Sequence, residues 1–177
     1  GHNEVLKAFE KNLDIYKVTA SAMYDVHYDR VNKEQRFLGK VATLALGYQG
    51  GVKAFQIMAS NYGTSIDDAT ALKVRDGWRV TNAPIVDLWY EVEVAARNAI
   101  KDGKRCATKA GDFMLIKGDL LFKLPSGRCL SFPKAVIKAG KLTHEGMNNF
   151  THKWGTIETY GGWFVQSITQ ALSLIHI

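Results

Sequence analysis

Cysteine is almost absent: Cys106 and Cys129 are the two in 177 residues. They are too few and too isolated for a disulfide framework or a zinc site, and this usage fits a reduced, cytoplasmic setting rather than a secreted one. The five histidines show no ligand spacing, so no metal ligands are assigned within the chain. Long apolar runs are missing as well. The longest uncharged stretch, residues 159–175, is interrupted by Gln166, Ser167, Thr169 and Gln170, which excludes a membrane span. There is no signal peptide. The chain does not open on methionine, which points to an internal piece of a longer protein.

What is present is an ordinary soluble composition, with 46% hydrophobic and 23% charged residues. A chain of this length buries one large core or two small lobes. The net charge of +6 permits an anionic partner without naming one. It is unevenly distributed. Residues 1–60 carry eight Lys and Arg against six Asp and Glu, residues 61–100 four against six, and residues 101–177 eleven against five.

The first hundred residues read as helices. Residues 3–12 form a short amphipathic helix with Val5, Leu6 and Phe9 on its buried side. A second helix follows Asp14, a plausible N-cap, and packs Ile15, Val18 and Met23. Asn32 with Gln35 three residues on has the form of a capping box. The helix it opens spans about 33–46 and is broken by Gly47, Gly50 and Gly51. Residues 52–62 read as a helix anchored by Phe55, Ile57 and Met58. Ser65 and Asp68 resemble a further capping box, and Asp67 and Asp68 suit a helix start better than a metal site. Pro84 falls in the first turn of a long helix to about Ile100, with Trp78 and Trp89 as core candidates. Beyond Lys101 the pattern changes to short apolar runs at 113–116, 120–124 and 128–132, separated by turn residues, which is a hairpin signature.

The helix at 33–46 carries the chemistry. Arg36, Lys40, Leu44 and Tyr48 stand four residues apart and share one broad stripe, opposite Val41, Ala42, Ala45 and Leu46. Two permanent cations one turn apart suit a triphosphate or a nucleic-acid backbone. Spacing alone favours a solvated basic face with Tyr48 in the core.

The wider string resolves that choice by resemblance. R-x-x-x-K-x-x-x-x-x-x-x-Y within R-F-L-G-K-V-A-T-L-A-L-G-Y-Q-G-G resembles the nucleotide-binding fingers helix of family A DNA polymerases, the DNA polymerase I family, and especially its phage-encoded branch. D-I-Y-K-V-T-A at 14–20 is similar to the family's D-I-H-x-x-T-A, with Tyr16 where the family has a phosphate-contacting histidine. Trp78-Arg79 with N-A-P-I-V-D-L-W resembles W-R-x-x-N-P-x-I-V-x-x-W. L-P-S-G-R-C-L-S-F-P resembles L-P-S-G-R-x-L-x-Y. Residues 154–171 resemble W-x-x-x-x-T-Y-G-G-K-L-V-E-N-I-T-Q-A, departing at Trp163, Gln166 and Ser167.

The resemblance implies a DNA-directed DNA polymerase that transfers nucleotides from dNTPs to a primer in phage replication. It implies that Arg36 and Lys40 hold the triphosphate, that Lys40 also acts catalytically by protonating the leaving pyrophosphate, and that Leu44 packs on the sugar. Tyr48 would gate the template position, Tyr16 would lie beside the phosphates, and Arg128 and Gln170 would contact DNA. The expected fold is α+β and predominantly helical. Residues 1–100 would be a fingers-like region and residues 101–171 a palm-like region with a β-hairpin and a helix. Residues 172–177, L-S-L-I-H-I, match the translation of a transposase sequencing adapter. The expected cofactor is Mg2+, its carboxylate ligands lying in D-Y-S-x-x-E and H-D-E segments that these residues lack, so that the isolated chain is inactive. Primer-template DNA and dNTPs are the expected partners of a monomer in the host cytoplasm, with no membrane. The competing readings are a basic, non-enzymatic DNA-binding module and a single-subunit RNA polymerase.

Overall fold

Asn32 starts the central helix of the N-terminal part. Its side chain accepts from the Gln35 backbone N–H at 2.8 Å, and its own N–H donates to the Gln35 side chain at 3.0 Å. The capping box is complete, and the helix runs Lys33–Leu46 (α3). A computed structural model describes residues 3–148 and 151–173. The last four residues of the expected adapter-derived segment lie outside the described residues.

Two compact units divide the chain at Asp87 and Leu88. In the first, Asn3–Glu10 (α1), Ile15–Tyr24 (α2), Val52–Asn61 (α4) and Asp68–Thr81 (α5) accompany α3, with a 3-10 turn at Tyr28–Arg30. The face of α3 bearing Val41, Ala42, Ala45 and Leu46 is buried, together with Ala20, Phe55, Ala59, Ala71 and Trp78. The α2–α3 crossing is close: a Cβ on Gly39 would stand 2.3 Å from the Tyr16 carbonyl oxygen. Thr19 and Thr43 hydroxyls meet across it at 3.1 Å.

Three expectations for this unit are corrected. Leu6 and Phe9 are 54% and 60% exposed, whereas Ala8 is buried. Phe9 lies about 100° further round the helix than Ala8. Ile57 is exposed because α4 packs through Phe55 and Ala59, one turn apart, leaving the intervening position outward. The N-cap of α5 is Asp67, which accepts from the Thr70 N–H at 2.9 Å, rather than Ser65. The helix-start role of Asp67 and Asp68 holds.

The helix Ala83–Asp102 (α6) buries Trp89, Val92, Ala95, Ala96 and Ala99. In the second unit an antiparallel meander of Cys106–Thr108 (β1), Gly111–Ile116 (β2), Asp119–Lys123 (β3) and Cys129–Phe132 (β4) forms a four-stranded sheet. Its register pairs Phe113 with Phe122, both fully buried. Val136–Lys138 (β5), Lys141–Met147 (β6) and Trp154–Thr159 (β7) form a second, three-stranded sheet that the apolar pattern did not suggest. Gly161–Ser173 (α7) follows. The T-Y-G-G string has a structural reason. A Cβ on Gly161 would stand 2.0 Å from the Trp89 carbonyl oxygen, so only glycine lets α7 start against α6. The Gly161 N–H donates to Glu93 at 3.0 Å, placing a carboxylate at the positive end of α7. The α+β, predominantly helical class expected from the sequence is observed. Among the described residues no helix is long and apolar enough to cross a membrane.

Candidate functional site

The face of α3 opposite the core carries the four residues picked out by spacing. Arg36 and Lys40 are half-buried, Leu44 is 43% exposed, and Tyr48 is half-buried just beyond the helix end. Each cation has an aromatic companion. The Arg36 guanidinium lies 5.5 Å from the centre of the Tyr16 ring, and the Lys40 ammonium lies 5.7 Å from that of Tyr62. Tyr62 is braced edge-on by Phe37, ring centres 5.5 Å apart. Such contacts hold a cation without cancelling its charge.

Asp14 was visible in the sequence only as a helix cap, and it does more. Its Oδ1 accepts from the N–H groups of Tyr16 and Lys17 at 2.9 and 3.3 Å, and its Oδ2 accepts from Arg36 Nε at 2.5 Å. Burial alone would raise the carboxyl. The Arg36 hydrogen bond, the two backbone donors and the guanidinium charge outweigh it and hold Asp14 below the usual carboxylate range. Tyr62 was likewise read only as the end of a helix. Neither partner was accessible to local pattern, since Asp14 meets Arg36 across 22 positions and the whole of α4 lies between Lys40 and Tyr62.

Past α3 the chain reverses through Gly47, Tyr48, Gln49 and Gly50. Gly47 has ordinary helical φ, −59°, and the left-handed residue is Gln49 at φ 68°. Gly50 is required by contact: its Cβ would stand 1.8 Å from the Ala45 carbonyl oxygen. Arg79 donates to the Gly50 carbonyl at 3.4 Å. The W-R string is thereby tied to the G-G turn beside Tyr48.

In the second unit Arg128 reaches the residue next to Gln170. Arg128, exposed in the turn after β3, donates to the carbonyl of Ala171, the neighbour of exposed Gln170 in the last turns of α7. Two of the departures from the family string are absorbed structurally. Trp163 packs with its ring centre 4.9 Å from His144 and 5.7 Å from Phe132, and the Ser167 hydroxyl donates to the Trp163 carbonyl at 3.1 Å.

Among the described residues no three His, Cys, Asp or Glu side chains come close enough to hold a metal ion.

No family model matches the chain. In an alignment that covers 94% of the chain, it is 39% identical to a DNA polymerase of Bacillus phage SP02. The chain spans 27% of the length of that relative. A phage DNA polymerase is thus what this sequence is similar to, in line with the motifs.

Proposed function

We propose that the chain is the central portion of the polymerase domain of a family A, phage-type DNA polymerase, with residues 1–100 fingers-like and residues 101–171 palm-like. The observation that carries this reading is the stripe along α3 and just past its end: Leu44 is exposed and Arg36, Lys40 and Tyr48 are half-buried, while Val41, Ala42, Ala45 and Leu46 are buried, within a sequence 39% identical to a phage polymerase.

In this proposal Arg36 and Lys40 bind the phosphates of the incoming dNTP, supplying positive charge where charge builds up on the leaving pyrophosphate. Lys40 is the proton donor to that group. Leu44 packs on the sugar, Tyr16 stands beside the phosphates, and Tyr48 guards the template position. Arg128 and Gln170 contact primer-template DNA. Mg2+ supplies activation of the primer hydroxyl when bound, and its ligands are assigned to carboxylates outside these 177 residues. The protein acts as a monomer in the host cytoplasm.

The test is expression of the whole gene that contains this segment. The parent should extend a primed template with dNTPs, and Lys40→Ala should slow incorporation more than it weakens DNA binding. Equal losses in both would remove the proton-donor role of Lys40. A parent that binds primed DNA but adds no nucleotide, although it contains both carboxylate segments, would move the reading to a DNA-binding module.

A further inference from the structure

The proposed phosphate ligands leave Asp14 without a role, yet it makes the shortest contact to them. We propose that Asp14 is a positioning residue for Arg36, fixing the guanidinium by its Nε edge and leaving the two terminal nitrogens for phosphate. The inference rests on the reading of α3 as a triphosphate-binding helix and goes one residue beyond it.

The carboxylate is suited to this because it is itself immobilised. One oxygen is held by the backbone N–H groups of Tyr16 and Lys17 at the start of α2, and the other accepts from Arg36 Nε at 2.5 Å. The Asp14 N–H donates to the Tyr28 hydroxyl at 2.9 Å, which ties down the same residue from its backbone side. The Tyr16 ring closes one face of the guanidinium. Among the described residues the terminal nitrogens of Arg36 have no hydrogen-bond partner. A long side chain is thus ordered before a ligand arrives, with its phosphate-matching edge unspent.

The same carboxylate also repels a triphosphate, so two effects of opposite sign meet at Asp14. They separate because positioning acts only through Arg36, whereas repulsion acts whether or not Arg36 is present. Asp14→Ser is the informative change. Serine caps a helix about as well as aspartate, but its hydroxyl is too short to reach Arg36.

The experiment is calorimetric titration of the 177-residue chain with inorganic tripolyphosphate, for the unsubstituted chain, Asp14→Ser, Arg36→Ala and the double variant. Asp14→Ser should weaken binding by about threefold to tenfold, the ordering cost of one long side chain. In the Arg36→Ala background the same change should leave affinity unchanged or tighten it. Asp14→Asn, which also keeps the cap, should behave like Asp14→Ser. Equal weakening in both backgrounds, or tightening in the presence of Arg36, overturns the positioning role while leaving α3 a phosphate-binding helix. No tripolyphosphate binding by the unsubstituted chain removes the phosphate-binding reading itself, and the inference with it.

Discussion

A histidine in the core of the second unit gives this protein a built-in response to pH. His144 is 4% exposed, its Nδ1 lies 2.7 Å from the Thr159 hydroxyl, and its ring packs between Trp163 and Phe132. Burial disfavours the charged imidazolium and lowers its pKa below the ordinary value. Between the lowered folded value and the unfolded value near ~6.5 the unfolded chain binds more protons. Stability therefore rises with pH across that window. The contribution is complete above the unfolded pKa and is lost as pH falls through the folded one. Thermal unfolding followed between pH 7.5 and 5 should show a falling midpoint, and His144→Gln should flatten that fall. An unchanged pH slope in the variant would show that other groups set it. Asp14 acts in a lower window, because its depressed carboxyl loses its stabilising effect as pH falls from the usual carboxylate value to the lowered one.

At the scale of the element, α3 was legible and its surroundings were not. Asn32 and Gln35 specify the helix start within four residues, and the buried positions follow the helical period. The crossing partner is set by Gly39, whose sequence context says only that a small residue sits in a helix. The structure gives it a purpose, since any Cβ there meets the Tyr16 carbonyl at 2.3 Å. Gly39→Ala should gain helix propensity locally and still destabilise the chain, because backbone cannot yield as a side-chain tip does. Overpacking of this kind costs about 1–3 kcal/mol, measured as a lower urea midpoint at unchanged slope. A neutral or stabilised variant would mean that α2 and α3 part without cost. The second sheet escaped detection for a related reason. In β6, K-L-T-H-E-G-M, the inward positions are Leu142 and His144. A histidine satisfied by Thr159 fills a place where pattern reading expects an aliphatic residue. α1 shows the converse error, as apolar Leu6 and Phe9 were assumed buried where Ala8 makes the packing contact.

At the scale of the whole molecule, charge and chemistry are separable. The net charge is +6, and the excess lies in residues 101–177, where part of it is already spent. Lys134 pairs with Glu145 at 3.0 Å and Lys141 with Glu158 at 2.7 Å, both in exposed positions where such pairs are weak and readily exchanged for phosphate. Lys138 and Lys153 have no ion pair among the described residues. Binding of primed DNA by the 177-residue chain should therefore be electrostatic. Log affinity should fall linearly with log salt at a slope of about −0.9 per phosphate neutralised. Lys138→Ala and Lys153→Ala should each make the slope shallower by about one such unit. The same DNA complex, supplied with Mg2+ and dNTPs, should show no primer extension, since the proposal assigns the Mg2+ carboxylates to residues outside this chain and two-metal chemistry needs them. Salt-dependent binding without extension is the combined outcome expected of a chain that holds the nucleotide and DNA contacts but not the carboxylates. Extension by the isolated chain would overturn the assignment of the Mg2+ ligands to residues outside it, and salt-independent binding would remove Lys138 and Lys153 from the DNA-facing surface.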